Sequence, residues 1–497
     1  MRNDVAARAR DIALTLAAWP SVTGSADEAA FAPKLAQYLV HLGKVWTAPI
    51  PGDARANVLA LKRGRGRAAI VLTGHYDVVP ATGYGALEPL AFSPERLLPE
   101  MVARLRQTGE NPLALADLES GAFVPGRGLL DMKAGLAAGI AAMEAYAGDA
   151  NLLFLAVPDE EERSAGARAA APQLARLAAE HGHDIRLVIN LDAISDQGDG
   201  ARGRVVALGS VGKQLLTAFV AGKEAHACYP EDGVNAAYLG AELLAEFELA
   251  PELAETSGDE RAAPPTALHA KDLKSGYNVT TPAQSWLYWN TLQHRRSAAE
   301  VLDIALMLGR RAMARAGHRL GRDIPVLTHA ELAARLPREQ SAAIAARVAA
   351  VPGLDLPEQA KRVTQALCEA AGLAGPAVVL GFGSIPYPAV ALADARLEDA
   401  VVAAASAHGL GALRYFPGIS DMSFLGEATG DLATAAANTP IWGAGFTMPD
   451  PAGYPCINIG PWGRDYHHWL ERLHAPYAFE TLPLALLGVI EAASKAR

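Results

Sequence analysis

The sequence predicts an α/β protein: a mostly parallel sheet covered by helices, interrupted by a smaller α+β domain. Three observations carry this. Ala68–Thr73, Asn151–Val157 and Arg186–Asn190 are short, apolar and turn-bounded, as strands buried on both faces should be. Between them lie alanine-rich helical patterns at Lys133–Tyr146 and Ala165–Glu180, so strand and helix alternate. From about Arg204 this texture changes, and it returns near the C-terminus.

In chain order, Met1–Pro20 mixes charges with alanine and leucine and reads as an amphipathic first helix, not a signal peptide. Past Arg204, Leu215–Gly222 reads as a strand, Gly233–Phe247 as a helix, Ser285–Thr291 as a strand and Ser297–Ala316 as a long helix. A strand at Ile324–Thr328 is expected to close this smaller unit, with the polar stretch Glu255–Pro265 as a loop inside it. Strands at Ala377–Gly381 and Cys456–Ile459 and a last helix at Leu482–Ala496 then resume the first pattern. The expected domains are residues 1–204 and 335–497 for the larger, discontinuous unit and 205–334 for the insert. At 497 residues the chain is too long for one ordinary core.

Composition narrows the function. The 44 basic and 54 acidic residues give a net charge of -10 and form no basic block, which argues against nucleic-acid binding. No apolar run reaches membrane-spanning length, so no membrane segment is expected. Three scattered cysteines (Cys228, Cys368, Cys456) support neither a disulfide framework nor a thiolate metal site, and a reducing cytoplasm fits best.

Five segments place metal-type side chains just past a strand or at the start of a helix. They are Thr73-Gly74-His75-Tyr76-Asp77, Gly126-Arg127-Gly128-Leu129-Leu130-Asp131-Met132-Lys133, Asp159-Glu160-Glu161-Glu162, Asn190-Leu191-Asp192 and Tyr466-His467-His468 with Glu471 beyond. Singly, each has a bland reading: a polar strand end, an aspartate capping a helix, a solvated charge run. Jointly they do not, because sites in open α/β sheets form beyond the carboxyl ends of the strands. Imidazoles and carboxylates without a thiolate suit two borderline or hard divalent ions sharing one carboxylate. An aspartate two residues after His75 can hold the imidazole's second nitrogen.

On these motifs the sequence resembles, over most of its length, the co-catalytic zinc family that includes glutamate carboxypeptidase, aminoacylase, tripeptidase and succinyl-diaminopimelate desuccinylase. Within that family it looks most like the branch linked to arginine utilisation. The resemblance implies a zinc exopeptidase-like fold with a lid and dimerisation domain. It implies one metal on His75, Asp131 and Asp192 and another on Asp131, Glu161 and His467, with Asp77 beside His75. Glu160 would be the general base toward a water held between the metals. His467 rather than His468 matches by the glutamate four residues later, with His468 the alternative. Gly222-Lys223-Glu224-Ala225-His226-Ala227 resembles the lid segment whose histidine stabilises the oxyanion in a partner subunit's site, and Asn278 resembles the lid asparagine that contacts substrate. One departure is plain: Trp289-Asn290-Thr291-Leu292 lacks the family's carboxylate-clamping arginine, and only Arg295 and Arg296 follow.

The expected protein is therefore a cytoplasmic homodimeric hydrolase with two divalent ions, zinc first and cobalt or manganese next. It would cleave the amide bond of a small N-acyl amino acid or dipeptide. Two other readings remain compatible with the residues: a catalytically silent binding or regulatory protein of this fold, and a single-metal deacetylase.

Overall fold

The order of strands decides where the motifs meet. The computed structural model describes residues 2–373, 375–430 and 432–496. It divides into two compact units, Met1–Ser210 with Val390–Ala428 and Pro449–Arg497, and Val211–Ala389 with Thr429–Met448.

The first unit is built on an eight-stranded sheet. Its order is Lys44–Pro49, Ala56–Lys62, Asn151–Val157, Ala68–His75, Asp184–Asn190, Cys456–Asn458, Val205–Ala207 and Gly411–Leu413. From Asn151–Val157 to Cys456–Asn458 the neighbours run parallel, so their carboxyl ends share one edge. Their central stretches are apolar because both faces are covered there. Ile70, Leu72, Phe154 and Ile189 pack with the helices Arg2–Ala17, Ala134–Ala145 and Leu482–Lys495, whereas Val71, Leu155 and Val188 pack with Ala165–His181. At roughly 1.5–3 kcal/mol for each large apolar side chain fully buried, this sandwich is the main source of rigidity at the edge.

Helix Ala134–Ala145 approaches the sheet closely because it carries glycine where it crosses a strand end. A Cβ on Gly135 would lie 2.0 Å from the Leu191 carbonyl oxygen, and one on Gly139 would lie 2.6 Å from Leu191 Cδ1. Gly460, on the next loop, meets the Asp192 carbonyl in the same way at 1.9 Å.

The second unit has a five-stranded sheet ordered Thr266–Asp272, Gln284–Gln293, Gly212–Ala221, Ala377–Phe382 and Val326–Thr328. Helices Ala236–Phe247 and Ala298–Leu320 cover one face, packing Leu239, Leu243, Phe247, Ala305 and Leu308 on Leu216, Ala218, Leu287 and Trp289. The longer helix opens on a capping box formed by Ser297 and Glu300.

Two expectations need correction. The strand Ala377–Phe382 does not return to the first sheet. It pairs antiparallel with Gly212–Ala221 and parallel with Val326–Thr328, so the 335 boundary falls too early and the second unit runs on to Ala389. A short apolar strand buried on both faces reads alike in either sheet, and only pairing partners decide. The stretch Arg338–Leu373 forms two helices of this unit, Arg338–Ala349 and Leu356–Ala370, and Glu255–Pro265 contains a small hairpin. Separately, Pro476–Lys495 is long and apolar enough to cross a membrane by length and composition alone. Its Leu482, Leu486, Val489 and Ile490 are fully buried in the core of the first unit, which accounts for that composition.

Gly135→Ala is expected to destabilise the protein by about 1–3 kcal/mol, the usual cost of overpacking. Because the obstructing atom is backbone leading into Asp192, metal content should fall as well. Denaturant midpoints and elemental analysis of the purified variant check both.

Candidate active site

His75 ends one parallel strand, Asp159–Glu161 follow a second, Asp192 follows a third, and the loop carrying His467 follows the fourth. Topology alone therefore delivers four of the five motifs to one edge. The fifth, Asp131, arrives on the glycine-rich turn before Ala134–Ala145. Its backbone is not helical (φ -113, ψ 99), and the residue flanking the helix is Lys133, so the capping reading of Asp131 does not apply.

Asp131 is the hub. One of its carboxylate oxygens lies 3.2 Å from His75 Nε2 and the other 3.2 Å from His467 Nε2. Asp192 Oδ1 lies 3.7 Å and Glu160 Oε2 4.0 Å from His75 Nε2. Glu161 Oε1 is 3.1 Å from His467 Nε2. Of the adjacent histidines, His467 meets the acids, while His468 Nδ1 accepts the Leu470 N–H at 3.3 Å. His467 and Asp465 both adopt positive φ, 64° and 55°, a conformation that costs a non-glycine residue about 1–2 kcal/mol and must be held by its surroundings.

Supporting bonds fix each group. Asn458 grips the Asp192 backbone on both sides, accepting its N–H at 3.0 Å and donating to its carbonyl at 2.9 Å. His75 Nδ1 is 2.9 Å from the backbone oxygen of Asp77, whereas the Asp77 carboxylate stands 3.6 Å away. That carboxylate instead accepts the N–H groups of Glu160 (3.1 Å) and Glu161 (3.2 Å) and the Thr23 hydroxyl (3.0 Å). The expected imidazole partner is thus, in its side chain, the anchor of the Glu160–Glu161 turn. Asp159, at φ 70, is held by Arg55, which also pairs with Glu28 and Asp53.

The electrostatics follow from burial. Burial pushes the Glu160 carboxyl well above its usual range; His75 opposes this, while Asp192, Asp421 and Glu161 add to it. Burial would raise Asp131 too, but hydrogen bonds from His467 and His75 outweigh it and hold Asp131 low. Burial disfavours protonated His467, yet Asp131 and Glu161 push it up to about 10. Six carboxylates (Asp77, Asp131, Glu160, Glu161, Asp192, Asp421) against two imidazoles leave the edge short of positive charge. Divalent cations fit that deficit. His75, Asp131 and Glu161 each offer a ligand atom, all within 4.8 Å of one another, and the donors are nitrogen and oxygen only.

Asp421 is the residue that sequence reasoning missed. It is buried, and burial drives its carboxyl up to about 7 beside His75, Asp77 and Asp192. Its only signal is the turn Gly418-Ile419-Ser420-Asp421 before the short helix Met422–Leu425. His226 and Asn278 belong to the second unit and are exposed on adjoining loops, joined by an isolated bridge between His226 and Thr280. There the Arg296 guanidinium is bonded to the Glu252 carbonyl at 2.7 Å.

Such a cradle on such a sheet defines a metal-dependent hydrolase. Residues 71–437 match the model of peptidase family M20/M25/M40, and the chain belongs to that family. It is 31% identical to the uncharacterized protein YqjN of Bacillus subtilis, covering 97% of this chain and 95% of that one. It is 28% identical to protein RocB of Bacillus subtilis, covering 89% and 86%. Among solved structures, a tripeptidase from Staphylococcus aureus superposes with a TM-score of 0.55 at 16% identity, covering 99% of each chain, a likeness of fold.

Asp77→Asn should weaken metal binding about 10–100-fold, the usual effect of losing an outer-shell partner. The amide offers one acceptor oxygen where the turn uses two. Titration of the metal-free variant, compared with wild type, measures it.

Proposed function

We propose that this chain hydrolyses the amide bond of a small N-acyl amino acid or dipeptide at a dinuclear centre. His75, Asp131 and Asp192 would hold one divalent ion, and Asp131, Glu161 and His467 the other. The observation that carries the reading is Asp131, whose two oxygens each face a different imidazole at 3.2 Å. Zinc is the first choice for this donor set, with cobalt and manganese the alternatives.

Two bound divalent ions would supply Lewis-acid chemistry, polarising the scissile carbonyl and making a water acidic enough to attack at neutral pH. The protein's own residues do the rest. Asp131 keeps both metal positions in register. Glu160 is the general base, with Oε2 4.0 Å from His75 Nε2. It would take the proton of the attacking water and return it to the leaving nitrogen. Asp77 holds the Glu160 and Glu161 amides, so that base and ligand keep different directions.

Two further assignments belong to this reading. The protein would work as a homodimer through the second unit, with His226 donating to the oxyanion in the neighbouring site and Asn278 contacting substrate. It would act in a reducing cytoplasm, which its three free cysteines, Cys228 exposed among them, favour. Substrates with basic side chains belong in the first screen, given the resemblance to the arginine-utilisation branch.

The reading is tested by separating the two glutamates. Glu160→Gln should keep both metals and lose about 100- to 10,000-fold in turnover, since an amide cannot accept the proton. Glu161→Ala should lose a metal, with activity partly restored by excess metal. Metal content beside hydrolysis of N-acyl amino acids and dipeptides decides; near-wild-type turnover in Glu160→Gln would sink the mechanism. Mixing His226→Ala chains with Glu160→Ala chains should restore activity through hybrid dimers. No recovery after proven subunit exchange removes the shared site.

A further inference from the structure

A buried ion pair joins the two segments that carry Asp131 and His467. Glu471 is wholly buried; one carboxylate oxygen accepts the Gly128 N–H at 2.9 Å and the other meets Arg127 Nη1. The Glu471 carbonyl also accepts the Gly126 N–H at 3.4 Å. Arg127 is itself buried, with its guanidinium 5.3 Å from the Tyr84 ring centroid and its N–H on the Ala91 carbonyl at 2.9 Å. The pair is therefore rooted in the core and has little freedom to shift.

On the other side, Glu471 closes the turn that presents His467. The His468 N–H reaches the Asp465 carbonyl at 3.0 Å, and the Glu471 N–H reaches the His468 carbonyl at 3.1 Å. Asp465 is fastened by Arg472 at 2.5 Å and by Gln197 at 2.8 Å. A turn with two left-handed non-glycine residues is thus clamped at both ends, and its second clamp is also the clamp on the Asp131 segment. The remaining donors are held independently, His75 by the Asp77 backbone and Asp192 by Asn458.

We propose that Glu471 is a positioning residue: with Arg127 and the Gly128 amide it sets the spacing between Asp131 and His467. It thereby governs most strongly the affinity of the metal position these two share with Glu161; the other position feels the latch only through the shared Asp131, because its His75 and Asp192 are held independently. This rests on the dinuclear reading above. Charge and shape both matter in the latch. Glutamine in place of Glu471 keeps an acceptor for Gly128 but loses the ion pair, and lysine in place of Arg127 keeps the charge but loses the planar fork.

The test is a cobalt(II) titration of metal-free wild type, Glu471→Gln and Arg127→Lys, read by calorimetry and visible absorption, with melting of each metal-free form alongside. Wild type should take two equivalents. Glu471→Gln should bind one equivalent within about threefold of wild type and the other about 10–100-fold more weakly, the range for outer-shell partners. Arg127→Lys should fall between them, and carries the same comparison if Glu471→Gln does not fold. Unchanged affinities with a lowered melting temperature, or equal weakening of both equivalents, overturns the latch as a positioning device. Fewer than two equivalents in wild type removes the dinuclear reading instead, a distinct failure visible before any variant is examined.

Discussion

Repulsion among carboxylates at one sheet edge is the constraint that the surrounding structure answers. Asp131, Glu160, Glu161, Asp192 and Asp421 are crowded into a largely buried space with His75 and His467 between them. A flexible edge would let them spread apart into water. Here the parallel strands behind them are packed on both faces and cannot yield cheaply. The arginines stand one layer back, Arg55 against Glu28, Asp53 and Asp159, and Arg127 against Glu471. They neutralise the supporting acids and leave the central ones uncompensated, a charge deficit that divalent ions would fill.

Much of this was legible in the chain itself. Strands buried on both faces announce themselves as short apolar runs, which is why Ala68–Thr73, Asn151–Val157 and Arg186–Asn190 stand out and why the residues just past them attract notice. Asp131 is legible for another reason, the glycines at Gly126 and Gly128 that only a tight approach requires. What stayed hidden depends on pairing across long stretches of sequence. Ala377–Phe382 could join either sheet on pattern alone. Asp421 sits in an unremarkable turn, and its meaning comes from neighbours more than two hundred residues away. The partnership of Arg127 with Glu471 spans 344 positions and leaves no local trace.

Asp77 carries a different task from the one its spacing suggests. Spacing suggests an imidazole partner, and the His75 ring does bond to residue 77, but through its carbonyl. The freed carboxylate then organises the amides of the next strand's turn. Backbone contacts of this sort are invisible to side-chain motifs, because any residue type can supply them.

The distance along the chain between the two halves of the cradle bears on how the protein is made. His75, Asp131, Glu160, Glu161 and Asp192 all precede the second unit, whereas His467 follows it, 306 positions beyond Glu161. At roughly 5–20 residues per second, the stretch of about 275 residues from Asp192 to His467 takes on the order of 15–55 s to emerge from a ribosome. Through most of that interval the chain already made carries the acid-rich strand ends with one imidazole, and the strand Cys456–Asn458 that pairs with Asp184–Asn190 is still to come. On the dinuclear reading, such an edge would offer oxygen donors, which suit hard cations, before its last nitrogen donor exists, so the order of synthesis would bear on which metal enters first.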